Sequence, residues 1–175
     1  NQSRRQRQMC IRDSIRDDEE KLPLLRSMSE IAGTSALLIA SEYLSNTNIG
    51  KGLILGGITG VSPTDVVIIG AGTVGEYACK TAIGLGANVR VFDTSLSRLK
   101  RLEDISNRNI STSIILPKSL RKALRRADVV VGALRSGDGR TPCVVSEEMI
   151  KNMKEGSVII DAVSYTHLRA HETET

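Results

Sequence analysis

DVVIIGAGTVGEYACKTAIGLGANVRVFD, residues 65 to 93, decides how this 175-residue chain is read. Asp65-Val66-Val67-Ile68-Ile69 is a short, continuous apolar run rich in β-branched residues, as expected of a parallel strand covered on both faces. Gly70-Ala71-Gly72-Thr73-Val74-Gly75 follows at once. A helical stretch with Val74, Ala78, Ala82 and Leu85 on one face then ends near Gly84 and Gly86, and Asn88 to Asp93 forms a second strand. Gly70 permits the tight turn off the strand, Gly72 leaves space for a pyrophosphate to approach the backbone, and Gly75 lets the helix pack closely on the sheet. The phosphates would rest on the first helix amides, those of Thr73 and Val74, where unpaired N–H groups and the macrodipole favour negative charge. Asp93, eighteen residues after Gly75, would accept hydrogen bonds from the adenosine ribose and repel a 2′-phosphate, which favours NAD over NADP. A bare GxGxxG is weak; one lying between a strand and a helix, with the acid at this distance, is specific. The competing reading is a glycine turn kept only for packing.

Outward from that unit, strands and helices keep alternating. Downstream, Leu96, Leu99, Leu102 and Ile105 space a helix, Ser111 to Ile115 is a short strand, and Pro117 opens a further helix with Leu120, Ala123 and Leu124 facing inward. Lys118, Arg121, Lys122, Arg125 and Arg126 make that helix basic, a solvated face rather than a binding surface. Asp128 to Gly132 is a fourth strand, Ser146 caps a helix running to Lys154, and Ser157 to Asp161 is a fifth strand. Upstream, Ile15 to Leu25 reads as a connection or edge strand interrupted by Pro23. Ser27-Met28-Ser29-Glu30 then resembles a capping box opening a helix from Met28 to Leu44, with Ile31, Leu37, Leu38, Ala40 and Leu44 supplying apolar surface. Ile49 to Pro63 is a glycine-rich loop, either a flexible connection or a wall close to a ligand.

The pattern predicts an α/β fold with a doubly wound parallel sheet. Right-handed crossovers gather the ends of the first, second and fourth strands around one crevice, so Ala133, Leu134 and Arg135 should lie where the nicotinamide half of a dinucleotide would sit. Arg135 has an equally simple alternative, a surface salt bridge or a solvent-facing position.

The two ends do not match the middle. Arg4 to Ser14, RRQRQMCIRDS, is the conceptual translation of a tagmentation sequencing adapter ending in the transposase mosaic end, and Val163 to Thr173, VSYTHLRAHET, is that of the opposite adapter. Residues 1–14 and 163–175 are therefore read as non-native and set aside. His167 and His171 go with them, so their metal-like i, i+4 spacing is a decoy and no metal is expected. The net charge falls from +4 for the chain to +2 for residues 15–162, too little to argue for a nucleic-acid partner. Cys10 is also set aside, leaving Cys79 and Cys143 as buried or half-buried thiols rather than a disulfide or a nucleophile. No apolar run reaches membrane-spanning length and no secretory leader is recognised, so a soluble, cytoplasmic protein is expected.

Several blocks in fixed order carry a family resemblance: Met28-Ser29-Glu30-Ile31-Ala32-Gly33, Gly52-Leu53-Ile54-Leu55-Gly56-Gly57, the glycine turn, Gly84-Leu85-Gly86-Ala87, and Ala127-Asp128-Val129-Val130-Val131-Gly132-Ala133. Together they resemble the alanine dehydrogenase and transhydrogenase α-subunit family, on its alanine dehydrogenase side. The resemblance implies an NAD-binding domain, here 63–162, inserted between halves of a substrate domain whose end, with a linker helix and the glycine-rich loop, spans 15–62. It implies a homohexamer; with the charge and the lack of a spanning run noted above, no nucleic-acid or membrane partner is expected. It places Ser29 near the cofactor, Asp93 and Arg98 at the adenosine ribose, and Leu134 with Arg135 along the cofactor; where the family often has a serine, this chain has Ile115.

The reaction so implied is hydride transfer from the α-carbon of L-alanine to nicotinamide, giving an imine that water converts to pyruvate and ammonium. That chemistry needs a positioned acid/base and cationic groups for the carboxylate. The family's residues for this work would precede residue 15 or follow Asp161, so no catalytic residue is expected in 15–162 and the fragment should not turn over alone. Two other readings are the NAD-binding part of a proton-translocating transhydrogenase and a nucleotide-sensing module without catalysis.

Overall fold

A computed structural model of the chain describes residues 23–47, 50–134 and 143–162. The elements run α1 (Pro23–Ser45), β1 (Asp65–Ile69), α2 (Thr73–Gly84), β2 (Asn88–Asp93), α3 (Leu96–Ile105), β3 (Ser111–Ile114), α4 (Pro117–Leu124), β4 (Val129–Gly132), α5 (Glu147–Lys151) and β5 (Val158–Asp161). The strands form one sheet in the order β3-β2-β1-β4-β5, every pairing parallel. The register sets Ile69 beside Phe92 and Gly132, so the ends of β1, β2 and β4 finish together.

Because side chains alternate across a strand, each central strand feeds two cores. Val66, Ile68, Val89, Val91, Val129 and Val131 pack beneath α1, α2 and α3 with Leu37, Leu44, Leu99 and Leu102. Val67, Ile69, Phe92 and Val130 face α4 and α5 with Leu120, Leu124 and Met149. Burying a side chain such as Phe92 or Ile68 completely contributes about 1.5–3 kcal/mol. This two-sided covering is why the strands read as continuous apolar runs, and it makes the sheet doubly wound as expected.

α1 departs from expectation at its start. The helix spans Pro23–Ser45, so it is already formed before Met28. Ser27 is consequently inside the helix, its hydroxyl donating to the Pro23 carbonyl at 3.1 Å, and Glu30 pairs with Arg26 at 3.0 Å, so no capping box forms. Of the expected apolar face, Leu37, Ala40 and Leu44 are buried while Ile31 and Leu38 are exposed. The buried stripe sets Gly33, Ala36 and Ala40 beside Leu37 and Leu44, and at Gly33 a Cβ would lie 2.3 Å from the Val74 carbonyl oxygen, which is how closely α1 lies along α2. At the far end of α1, Leu53 N–H donates to Leu44, and Gly57 N–H donates to Leu85 just past α2, so the two helices run in the same direction.

The glycine-rich loop is settled by the same contacts. Its described part packs against Leu85 and Gly86 and ties Thr64 to Gly56, at the end of the sheet where strands begin. It is a packed connection there, remote from the turn at Gly70, and not a wall of the crevice. The fifth helix is shorter than expected, ending at Lys151, with Ser146 capping it through the Met149 amide. No helix among the described residues is long and apolar enough to cross a membrane.

Candidate dinucleotide site

The turn leaves β1 at Gly70, whose φ of +116° is strained for any other residue and whose Cβ would lie 2.4 Å from the Ala133 carbonyl oxygen. Gly75 is equally constrained, since a Cβ there would meet the Gly70 oxygen at 1.8 Å. Gly72 is different. It has ordinary backbone angles, φ −77° and ψ −168°, and nothing within 4 Å of where a Cβ would stand. The fold does not require glycine at this position; the open space above it is the cradle a pyrophosphate needs and a side chain would fill. Gly72 is also the N-cap of α2 and makes no side-chain cap bond, so the first amides of the helix carry their partial positive charge without a local acceptor from that side chain.

Asp93 ends β2 beside this turn and is 1% exposed. Its Oδ2 accepts from the Ala71 N–H at 2.6 Å and its Oδ1 from the Ser95 N–H at 2.7 Å. Ser95 in turn caps α3, its hydroxyl accepting from the Arg98 amide at 3.4 Å, which sets Arg98 in the first turn of α3 with an exposed side chain. On the other flank, Ala133 is buried and donates to the Ile69 carbonyl at 2.7 Å, and Leu134 is half-buried against the second core. Gly70, Gly72, Thr73, Val74, Gly75, Asp93, Arg98, Ala133 and Leu134 therefore converge on one end of the sheet. Ser29 lies one turn of α1 before Gly33 and so extends past the start of α2; its hydroxyl donates to the Leu25 carbonyl at 2.8 Å. Arg135 lies outside the described residues, as do Cys10, His167 and His171.

Sequence reasoning missed Glu76. It is 6% exposed and pairs with Lys80 at 2.7 Å and with Arg101 of α3 at 3.1 Å, tying α2 to α3. Its i, i+4 spacing to Lys80 was a readable signal, but Arg101 is set opposite only by packing. Ser95 did carry a signal, a capping residue immediately before a helical run. The Cys79 thiol is pushed up to about 12, first by burial and then by the charge of Glu76, with Lys80 opposing, so it stays protonated and inert. Cys143 is exposed rather than half-buried, and its thiol donates to the Val145 carbonyl at 3.3 Å. No cluster of potential metal ligands occurs among the described residues.

A parallel sheet in this order, with a glycine turn opening a helix and an acid closing the second strand, defines a Rossmann-type α/β domain, the class whose crevice receives dinucleotides. Residues 36–165 match the family described as alanine dehydrogenase/PNT, C-terminal domain, and the chain belongs to that family. It is 41% identical over 149 residues to an alanine dehydrogenase of Methanococcus maripaludis, covering 85% of this chain and 40% of the relative. It is 40% identical over 162 residues to that of Bacillus subtilis, covering 88% and 43%. A solved L-alanine dehydrogenase superposes with a TM-score of 0.78 at 36% identity, over 83% of this chain and 40% of that one. A transhydrogenase from Sinorhizobium meliloti, at 23% identity and a TM-score of 0.62, shares the fold. The chain thus spans about two fifths of the length of the curated relatives it matches.

Proposed function

We propose that this chain is the cofactor-binding part of an NAD-dependent alanine dehydrogenase, whose whole protein converts L-alanine reversibly to pyruvate and ammonium. Membership of a dehydrogenase family implies a nicotinamide cofactor; the acid at the end of β2 supports NAD rather than NADP. The observation that carries the reading is Gly72, free of steric demand from the fold yet glycine, at an uncapped helix start beside a buried aspartate. Thr73 and Val74 amides would hold the pyrophosphate, Asp93 and Arg98 the adenosine ribose, and Ala133 and Leu134, with Ser29 and Arg135, the path toward the nicotinamide. The bound cofactor supplies the hydride acceptor. The chain's own residues bind and orient the cofactor; the acid/base groups that the reaction needs would be supplied by other parts of the whole protein.

A cytoplasmic homohexamer remains part of this proposal. Self-association, though not the number of copies, is supported by the outward face of α1, where Leu24, Met28, Ile31 and Leu38 are exposed at helical spacing, a surface of the kind that marks association. Titration calorimetry of the folded chain with NAD and with NADP tests the function directly. Binding of NAD with weaker binding of NADP is expected, and a folded sample that takes up neither refutes it.

A further inference from the structure

Three carboxylates are buried among the described residues, and two of them hold cations: Glu76 with Lys80 and Arg101, Asp128 with Lys51 and Lys154. Asp93, the most deeply buried at 1% exposure, forms no ion pair among the described residues. Its charge is met by backbone instead. One oxygen accepts from Ala71, inside the glycine turn and 22 residues away in sequence, and the other from Ser95, the cap of α3. The two donors belong to the approaches to two different helices.

We propose that Asp93 is a positioning residue for the phosphate turn in addition to an acceptor for the ribose: its carboxylate straps the Gly70–Gly75 turn to the start of α3 and so fixes where the free amides of α2 stand. The inference rests on the dinucleotide reading above and adds a task that the spacing of Asp93 does not contain. A carboxylate can do both, because each oxygen offers a second lone pair after accepting one amide. An asparagine cannot do even the first. It has one acceptor oxygen, so its NH2 would be turned toward one of the two backbone donors. Charged acceptors also give the shorter and stronger bonds, which suits a strap across a turn that no side chain caps.

A role confined to the ribose and a role in the turn separate when the sugar hydroxyls are removed. NMR titration of the wild-type chain and of Asp93→Asn with ADP and with 2′,3′-dideoxy-ADP provides the cycle. Asp93→Asn is expected to weaken 2′,3′-dideoxy-ADP by about tenfold or more, because the turn itself is displaced, and to weaken ADP by a larger factor. A variant that binds 2′,3′-dideoxy-ADP within twofold of wild type, having lost only the preference for ADP, overturns the strap. Should Asp93→Asn fail to fold, hydrogen exchange in the free wild-type protein decides: the Ala71 and Ser95 amides are expected to exchange at least about a hundredfold more slowly than in an unfolded chain, and unprotected exchange at either overturns it. Wild-type protein that binds no ADP would remove the proposed function, and the exchange measurement would still report on the strap.

Discussion

The two ends of the parallel sheet each bury an aspartate, and they use it in opposite ways. At the end where strands begin, Asp128 is 6% exposed and saturated: Lys51 and Lys154 donate to Oδ1 at 3.1 and 2.9 Å, and the Asp65 amide donates to Oδ2 at 3.0 Å. At the end where strands finish, Asp93 is held by two amides and, among the described residues, by no cation, beside a glycine with empty space over it. Charge that is fully neutralised inside the chain holds the chain together, here the loop at Lys51 and the α5–β5 connection at Lys154. Charge met by two backbone amides keeps acceptor capacity on each oxygen, and it is this capacity, beside the open cradle, that the proposed cofactor site would use. Burial alone does not separate a staple from a site; the kind of partner does.

The sharpest way to break this contrast is Gly72→Val. Its side chain would occupy the space proposed for the pyrophosphate, and NAD affinity is expected to fall at least about a hundredfold. Stability should change by no more than about 1 kcal/mol, the range of an N-cap substitution, because the backbone angles suit any residue and a Cβ there would meet no atom within 4 Å beyond its chain neighbours. Calorimetry paired with a denaturant melt checks both halves. Valine at 72 with undiminished NAD binding would show that the cradle is not where the cofactor lies.

At the other end, Asp128→Ala should do the converse. Removing the shared acceptor leaves the Asp65 amide and two ammonium groups without it. Lys51 is 18% and Lys154 39% exposed, so both can recover some water, and a loss of about 2–3 kcal/mol is expected rather than the larger values of sealed pairs. NAD affinity of the folded fraction should be unchanged. A variant as stable as wild type would mean that the cluster holds nothing.

How much of this was legible follows from the same pair of aspartates. Asp93 could be found because its task is written in local spacing, a strand, a glycine turn, a helix and a second strand within 29 residues. The bounds of β1, β2 and α3 were readable for that reason, and so was the start of α4 at Pro117. Asp128 could not be found: its lysines lie 77 and 26 residues away, and only the folded sheet brings them to one carboxylate. The pairing of Glu76 with Arg101 was hidden likewise, whereas its i, i+4 pair with Lys80 was not. The capping box at Ser27 failed because a local motif competes with the longer helix that packing against α2 supports, and a serine inside a helix simply donates to the carbonyl four residues back. What was hidden inside the site is the second use of Asp93, since no spacing reveals that a carboxylate is already engaged by backbone.

Asp93→Ser sharpens the comparison from the ligand side. Loss of the negative charge removes both an acceptor for the ribose and the repulsion of a 2′-phosphate. NAD should weaken, and the ratio of NAD to NADP affinity should fall by about tenfold, roughly 1.4 kcal/mol. Unaltered affinities for both cofactors in calorimetry would remove the carboxylate from the site.

The smallest effect concerns acid, and its sign comes from the staple. Burial by itself would raise the Asp128 carboxyl, but the bonds from Lys154, from the Asp65 amide and from Lys51 together outweigh it and hold the group below its ordinary value of 3.8. A carboxyl depressed in the folded state binds its proton more readily when unfolded, so its contribution is fully present above the ordinary value and is lost as pH falls through the lower, folded one. A simple acid melt sums the contributions of all carboxyl groups and would hide this one. Comparing wild type with Asp128→Asn cancels those common contributions. The stability gap between the two should be constant from neutral pH down to about 4 and should then narrow as the wild-type carboxylate is protonated. A gap that stays constant to the lowest pH at which both proteins fold would mean that Asp128 is not held as a charged group by its lysines, and the contrast between the two ends of the sheet would lose its electrostatic basis.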